Sequence, residues 1–183
     1  MHRKPVVSAA FGLYRDADLV GVCVYGTPAS RHLQLGAYPS DPGMVLELNR
    51  LWVADEMAKN TESWFVSRTL RAIGPRMVVS YADTVQGHVG YVYRALNFHY
   101  AGWTDMERKT ARYDYIPHDV GAHSREAFRS GYKDRVRRRP KVKYWTATGT
   151  PSERREIRRN SGWPVMDWVA EPAPQEHRQR GKG

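Results

Sequence analysis

Residues 47–102 constrain this chain most, because two strand patterns and two helix patterns alternate there without interruption. ELNRLWV reads as a strand, TESWFVSRTLRAI as a helix, MVVSYAD as a second strand and GHVGYVYRALNF as a second helix. Thr61 is the expected N-cap of the first helix, with Glu62, Ser63 and Trp64 in its first turn. Trp64, Phe65, Leu70 and Ile73 fall on one face, and Gly74 with Pro75 stops the helix. Residues 76–83 read as a buried strand, 87–97 as a helix carrying Val89, Val92, Tyr93 and Leu96, and 98–103 as the next strand. Strands joined by helical crossovers favour a partly parallel sheet with helices on its faces, because a parallel connection cannot be made by a tight turn.

The flanking segments are read less sharply. Residues 6–14 and 19–25 are apolar runs separated by Arg15, Asp16, Ala17 and Asp18, the pattern of an antiparallel hairpin. Residues 26–43 are rich in turn formers and read as a loop long enough to be functional, and 44–53 read as a strand. Beyond Trp103 the expectations are an edge strand over 107–115, a basic helix over 124–138, a strand over 142–146 and a charged helix over 151–160. The chain of 183 residues, 41% of them hydrophobic, suits one domain over 1–170. Residues 171–183 are poor in apolar side chains and read as a disordered tail.

Cys23 is the single cysteine and lies in an apolar run, which predicts a buried structural thiol and rules out a disulfide within the chain. No histidine pair shows zinc-site spacing, so no metal is expected. No apolar run reaches the roughly 18 residues that span a bilayer, and no signal peptide opens the chain, so a cytoplasmic protein is expected.

The formal charge of +10 is unevenly placed: residues 1–100 hold 10 basic against 8 acidic side chains, residues 101–183 hold 19 against 11. Between Arg129 and Lys143, eight bases, among them Arg135, Arg137, Arg138, Arg139, Lys141 and Lys143, face Asp134 alone. Interleaved with Tyr132, Tyr144 and Trp145, this run either binds nucleic-acid phosphates with aromatic faces for bases or is a solvated basic surface. Glu47, Asn49 and Arg50 alternate with Leu46, Leu48, Leu51 and Trp52, so three polar groups must find partners or line a cleft. Arg50 there suits a bound phosphate or carboxylate, or else an ion pair with Glu47 or Asp55. Ligands gather at the carboxyl ends of parallel strands, which places Ser80 and Asp83 for work, and Tyr81, Gln86 and His88 beside them are further expected substrate contacts. Asp83 can orient an amine, act as a base or cap the following helix, and His88 can relay a proton.

The motifs ELNRLWV, KNTESWF, SYAD, QGH-G and Y-AL-F, in this order, resemble the phage Mom-like DNA adenine-modification proteins of the GNAT superfamily. The resemblance covers roughly residues 10–168. It extends to Thr27, Pro28, Ala29 and Ser30 after the second strand, and to the aromatic strand from Lys141 with the charged helix after it. It implies a GNAT-like mixed, partly parallel α/β sheet flanked by helices, lacking the N-terminal helices of related proteins. It also implies an enzyme that converts the exocyclic amine of adenine in double-stranded DNA to a carbamoylmethyl form and so shields phage DNA from restriction. GNAT proteins hold acetyl-CoA or a related acyl donor on amides at a helix start. Here that loop is Ala58, Lys59, Asn60, Thr61, Glu62 and Ser63, without the usual glycines, and Lys59, Asn60, Thr61 and Ser63 are the implied donor contacts. Tyr93 falls on the tyrosine that protonates the departing thiolate in such enzymes, with Asn97 on the usual glycine. Tyr93, Asp83 and Arg50 are thus the candidate catalytic residues, although Tyr93 also suits plain aromatic packing. Two rival readings are a GNAT acetyltransferase of a protein or small amine and a non-enzymatic nucleic-acid-binding protein.

Overall fold

A computed structural model describes residues 6–84, 90–105, 110–116 and 124–168. The chain opens with the hairpin β1 (Val7–Arg15) and β2 (Asp18–Gly26), turned by Asp16 in the left-handed region at φ 55°. Then come α1 (Arg31–Ala37), a 3-10 turn (Pro42–Met44), β3 (Val45–Val53), α2 (Thr61–Ala72), β4 (Met77–Ala82), α3 (Tyr91–Ala95) and β5 (His99–Trp103). The second half holds β6 (Tyr113–Tyr115), α4 (Ser124–Arg129), β7 (Arg135–Arg137), β8 (Val142–Ala147) and α5 (Pro151–Asn160).

Six strands form one sheet in the order β1-β2-β3-β4-β8-β5. The pair β3–β4, joined through α2, is parallel and its neighbours are antiparallel, which is the mixed, partly parallel arrangement expected. Alternation along the strands feeds two cores. Cys23, Tyr25, Leu46, Leu48, Val78 and Tyr144 pack on one face with Phe65 and Val66 of α2. Val45, Met77, Val79, Trp145 and Ala147 pack on the other with Ala37 of α1 and Ile157 of α5. Cys23 is fully buried, as expected of a structural thiol.

Several elements differ from the sequence reading. Residues 26–43 are not a plain loop. The Ser30 hydroxyl accepts the Leu33 N–H to start α1, and Ala37 and Tyr38 bury into the second core. The N-cap of α2 is Asn60, at φ 71°, rather than Thr61, whose hydroxyl donates to the Ala58 carbonyl at 2.6 Å. The basic helix expected over 124–138 ends at Arg129. Gly131, at φ 79°, reverses the chain, with Gly131 N–H donating to Phe128 O and Tyr132 N–H to Ala127 O. Its basic continuation is instead the strand β7, paired with β6 in a separate two-stranded sheet; of the strand expected over 107–115, residues 110–112 lie outside β6 and 107–109 lie outside the described residues. The helix expected over 87–97 is seen from Tyr91. Its earlier part, with Gln86 and His88, lies outside the described residues, as does the tail 171–183.

Candidate active site at the opening between β3 and β4

The parallel pair is short. Val45, Leu46 and Glu47 face Met77, Val78 and Val79, and beyond Glu47 and Val79 the two strands no longer pair with each other, β3 staying on β2 and β4 on β8. The sheet therefore opens at the carboxyl ends of both strands, between residues 48–53 and 80–82. A second irregularity sharpens the opening: on β2, Val24 pairs with Arg50 and Tyr25 with Leu48, so Asn49 is the extra residue of a β-bulge. Its Nδ2 is buried without a hydrogen-bond partner.

On the α2–α3 face of this opening, the Ser80 hydroxyl lies 2.8 Å from the Tyr93 hydroxyl and 3.4 Å from the Leu48 carbonyl. Tyr93 packs against Phe98 and Tyr144, with ring centroids 5.4 and 5.2 Å away. Burial pushes its phenol up and the hydrogen bond to Ser80 only partly offsets this, so the group keeps its proton through the neutral range. The backbone explains the placement. Gly90 begins α3 at φ 85°, and a Cβ there would lie 2.5 Å from the Tyr144 ring. Asn97 ends it at φ 55°, with Phe98 N–H donating to Tyr93 O and Asn97 N–H to Arg94 O. Asn97 thus does the work of a helix-stop glycine.

The remaining candidates gather on the opposite face. Glu47 is half-buried; burial raises its carboxyl while the charges of Lys141 and Arg50 pull it back. Tyr81 stands edge-on to Trp163 with centroids 6.4 Å apart, and burial, then the Glu47 charge, raises its phenol. Lys143 Nζ lies 5.2 Å from the centre of the Trp163 ring. Asp83 is 2.8 Å from Lys141 Nζ, and Gly90 caps α3; residues 85–89, where the helix expected after Asp83 would start, lie outside the described residues. Arg50 is exposed and donates to the Asn49 carbonyl at 2.9 Å, with no carboxylate at ion-pair distance among the described residues. The structure therefore brings Ser80 and Tyr93 together on one face and Glu47, Arg50, Tyr81, Asp83 and Lys141 near one another on the other. Sequence reasoning missed Trp163, which sits in a stretch without periodicity, and the pairing of Lys141 with Asp83, which only the strand register reveals.

At the start of α2, Trp64 N–H donates to Asn60 O and Thr61 N–H to Ala58 O, whereas the Glu62 and Ser63 amides have no acceptor among the described residues. The Ser63 hydroxyl turns to the Asn60 carbonyl. Two open amides beside the exposed Lys59 suit an anionic group, although the Glu62 carboxylate opposes it.

The basic run is split among several tasks. Arg135 lies over Tyr113, with 4.2 Å from its guanidinium carbon to the ring centre. Arg138 pairs with Asp114 through both nitrogens, Nε at 3.1 Å. Arg137 and Arg139 are exposed, and Lys141 and Lys143 belong to the opening.

Comparison with known proteins decides the family. The family model described as the Mom protein family matches residues 1–159. The chain belongs to that family. It is 37% identical over 100 residues to the methylcarbamoylase mom of Escherichia phage Mu. That match spans 50% of this chain and 40% of the Mom relative, less than half of the relative's length. Among solved structures, a GNAT-like decarboxylase GphF in complex with isobutyryl-CoA aligns with a TM-score of 0.45 and 16% identity, over 76% of this chain and 78% of that one. A histone acetyltransferase HPA2 and related acetyltransferase from Corynebacterium glutamicum aligns with a TM-score of 0.36 and 15% identity, over 75% and 62%. Among the described residues no helix is long and apolar enough to cross a membrane, and no cluster of His, Cys, Asp and Glu could hold a metal ion.

Proposed function

We propose that this protein modifies the exocyclic amine of adenine in phage DNA, giving a carbamoylmethyl-type derivative that blocks host restriction. The observation that carries the reading is the Tyr93–Ser80 pair at the opening between β3 and β4, in a chain of the Mom family. The phage Mu relative, a methylcarbamoylase by name, supports transfer of a small amide-bearing group here.

A donor of the acyl-CoA class would be held by the Glu62 and Ser63 amides together with Lys59, Asn60 and Thr61. Bound there, it would supply an acyl carbon whose C–S bond breaks as the bond to adenine N6 forms, so this step by itself gives an N6-acyl adenine and the carbamoylmethyl form lies one conversion beyond it. Tyr93, neutral and held by Ser80, is the acid that gives its proton to that group. The adenine enters from the opposite face of the sheet, extruded from the duplex because its amine is otherwise inaccessible. There Asp83 and Glu47 orient the amine, Tyr81 and Asn49 line the pocket, and Arg50 contacts an anionic group. Arg137 and Arg139 carry phosphates of double-stranded DNA in the host cytoplasm.

The test is to incubate purified protein with duplex DNA and a panel of acyl-CoA donors, hydrolyse the DNA to nucleosides and weigh them. A heavier adenine nucleoside is expected. Transfer to peptides or polyamines with unmodified DNA would instead mark an ordinary amine acetyltransferase, and neither product would mark a binding protein.

A further inference from the structure

Away from the opening, the β6–α4–β7 segment builds a hollow of its own. Tyr115, Phe128, Gly131, Tyr132, Lys133 and Arg135 enclose about 420 Å³. Three of these six residues are aromatic and two are cationic. Phe128 tilts against Tyr115 with centroids 4.9 Å apart, yet is 60% exposed. The turn at Gly131, which sends Tyr132 N–H back to Ala127 O, brings the Tyr132 backbone beside α4. Arg135 is steadied on Tyr113, and the alternation of β7 puts Arg137 on the same side as Arg135. Asp114, a neighbouring acid, is already occupied by Arg138.

An exposed ring at the wall of a cationic hollow is apolar surface that leaves water most favourably for a flat, anion-flanked partner. Stacked base pairs hide their faces inside a duplex, whereas an unpaired base offers one. An acidic peptide supplies charge without that face. We propose that this hollow seats an unpaired nucleobase of the DNA, stacked on Phe128, with flanking phosphates on Lys133, Arg135 and Arg137. The proposal rests on the DNA reading above and adds a second contact, separate from the opening, that favours DNA whose pairing is already disturbed.

The test is equilibrium binding of the whole protein, by fluorescence anisotropy, to a paired duplex, the same duplex with one bulged base, and heparin, which has the charge but no bases. Wild type should prefer the bulged duplex. Phe128→Ala should lose roughly tenfold or more on the bulged duplex alone, with its salt dependence and heparin affinity unchanged. Phe128→Trp, which keeps a face, should retain the preference. Equal affinities of wild type for both duplexes, an unchanged preference in Phe128→Ala, or the same loss in Phe128→Trp would overturn the hollow. Where wild type still yields a modified adenine nucleoside, these results reject the hollow alone. Absence of both DNA binding and modified nucleoside rejects the DNA reading with it.

Discussion

Tyr93 and Ser80 come from different elements, and neither is conspicuous alone among the 11 tyrosines of the chain. Spacing to Phe98 picks out Tyr93, but the 2.8 Å contact with Ser80 depends on where β4 lies under α3, which no local pattern encodes. Glu47 was legible as a polar residue on an apolar strand with Arg50 nearby; the charge of Lys141 was not, because it is distant in sequence and reaches Glu47 only through the register of β8. Its raised carboxyl has a consequence for stability. A group whose folded pKa lies above its unfolded value contributes stability at low pH and loses it as pH rises through the folded value. Glu47→Gln should therefore be more stable than wild type at neutral pH, with the gap closing below the carboxylate range, as read from urea unfolding at several pH values. Asp83→Asn breaks a half-exposed ion pair with Lys141, so thermal unfolding should show a loss under about 1 kcal/mol. The same variant should be severely impaired in DNA modification if Asp83 orients the amine.

At the scale of elements, the strand–helix–strand order over residues 47–102 was readable because each element carries its own period and its own stop. Asn97 is the clearest case: it adopts φ 55°, as its place at a helix stop predicted. Asn97→Gly should leave stability near wild type, whereas Asn97→Ala should cost about 1 kcal/mol in denaturant unfolding, since alanine gains nothing in the left-handed region. The part of the 124–138 stretch beyond Arg129 was misread for an opposite reason. Arg, Lys and Tyr carry weak preferences, so Gly131 and the cross-strand partners Tyr113, Asp114 and Tyr115 decide that β7 is a strand. The bulge at Asn49 was likewise invisible, because a bulge is a property of two paired strands rather than of one.

For the molecule as a whole, the charge asymmetry was legible from composition, but its division of labour was not. Arg138 is taken by Asp114 and Lys141 by Asp83, which leaves Lys133, Arg135, Arg137 and Arg139, all exposed, for phosphate contact. DNA affinity should fall with salt by roughly 0.9 log unit per log unit of salt for each duplex phosphate neutralised. Replacing Arg137 and Arg139 with alanine should lower that slope by up to about two contacts on every sequence alike, while adding Arg138→Ala should change it little. A slope identical to wild type in the double variant would place the DNA elsewhere. The central claim, that Tyr93 at the opening of the sheet drives modification of DNA adenine, is tested most directly by one ratio. That ratio is modified to unmodified adenine nucleoside, measured by mass spectrometry in DNA from cells making equal amounts of folded wild type or Tyr93→Phe. The account predicts a heavier nucleoside with wild type and a drop of roughly 10²- to 10⁴-fold in its rate of formation with Tyr93→Phe. Equal ratios in the two samples, or no heavier nucleoside in either, would contradict it.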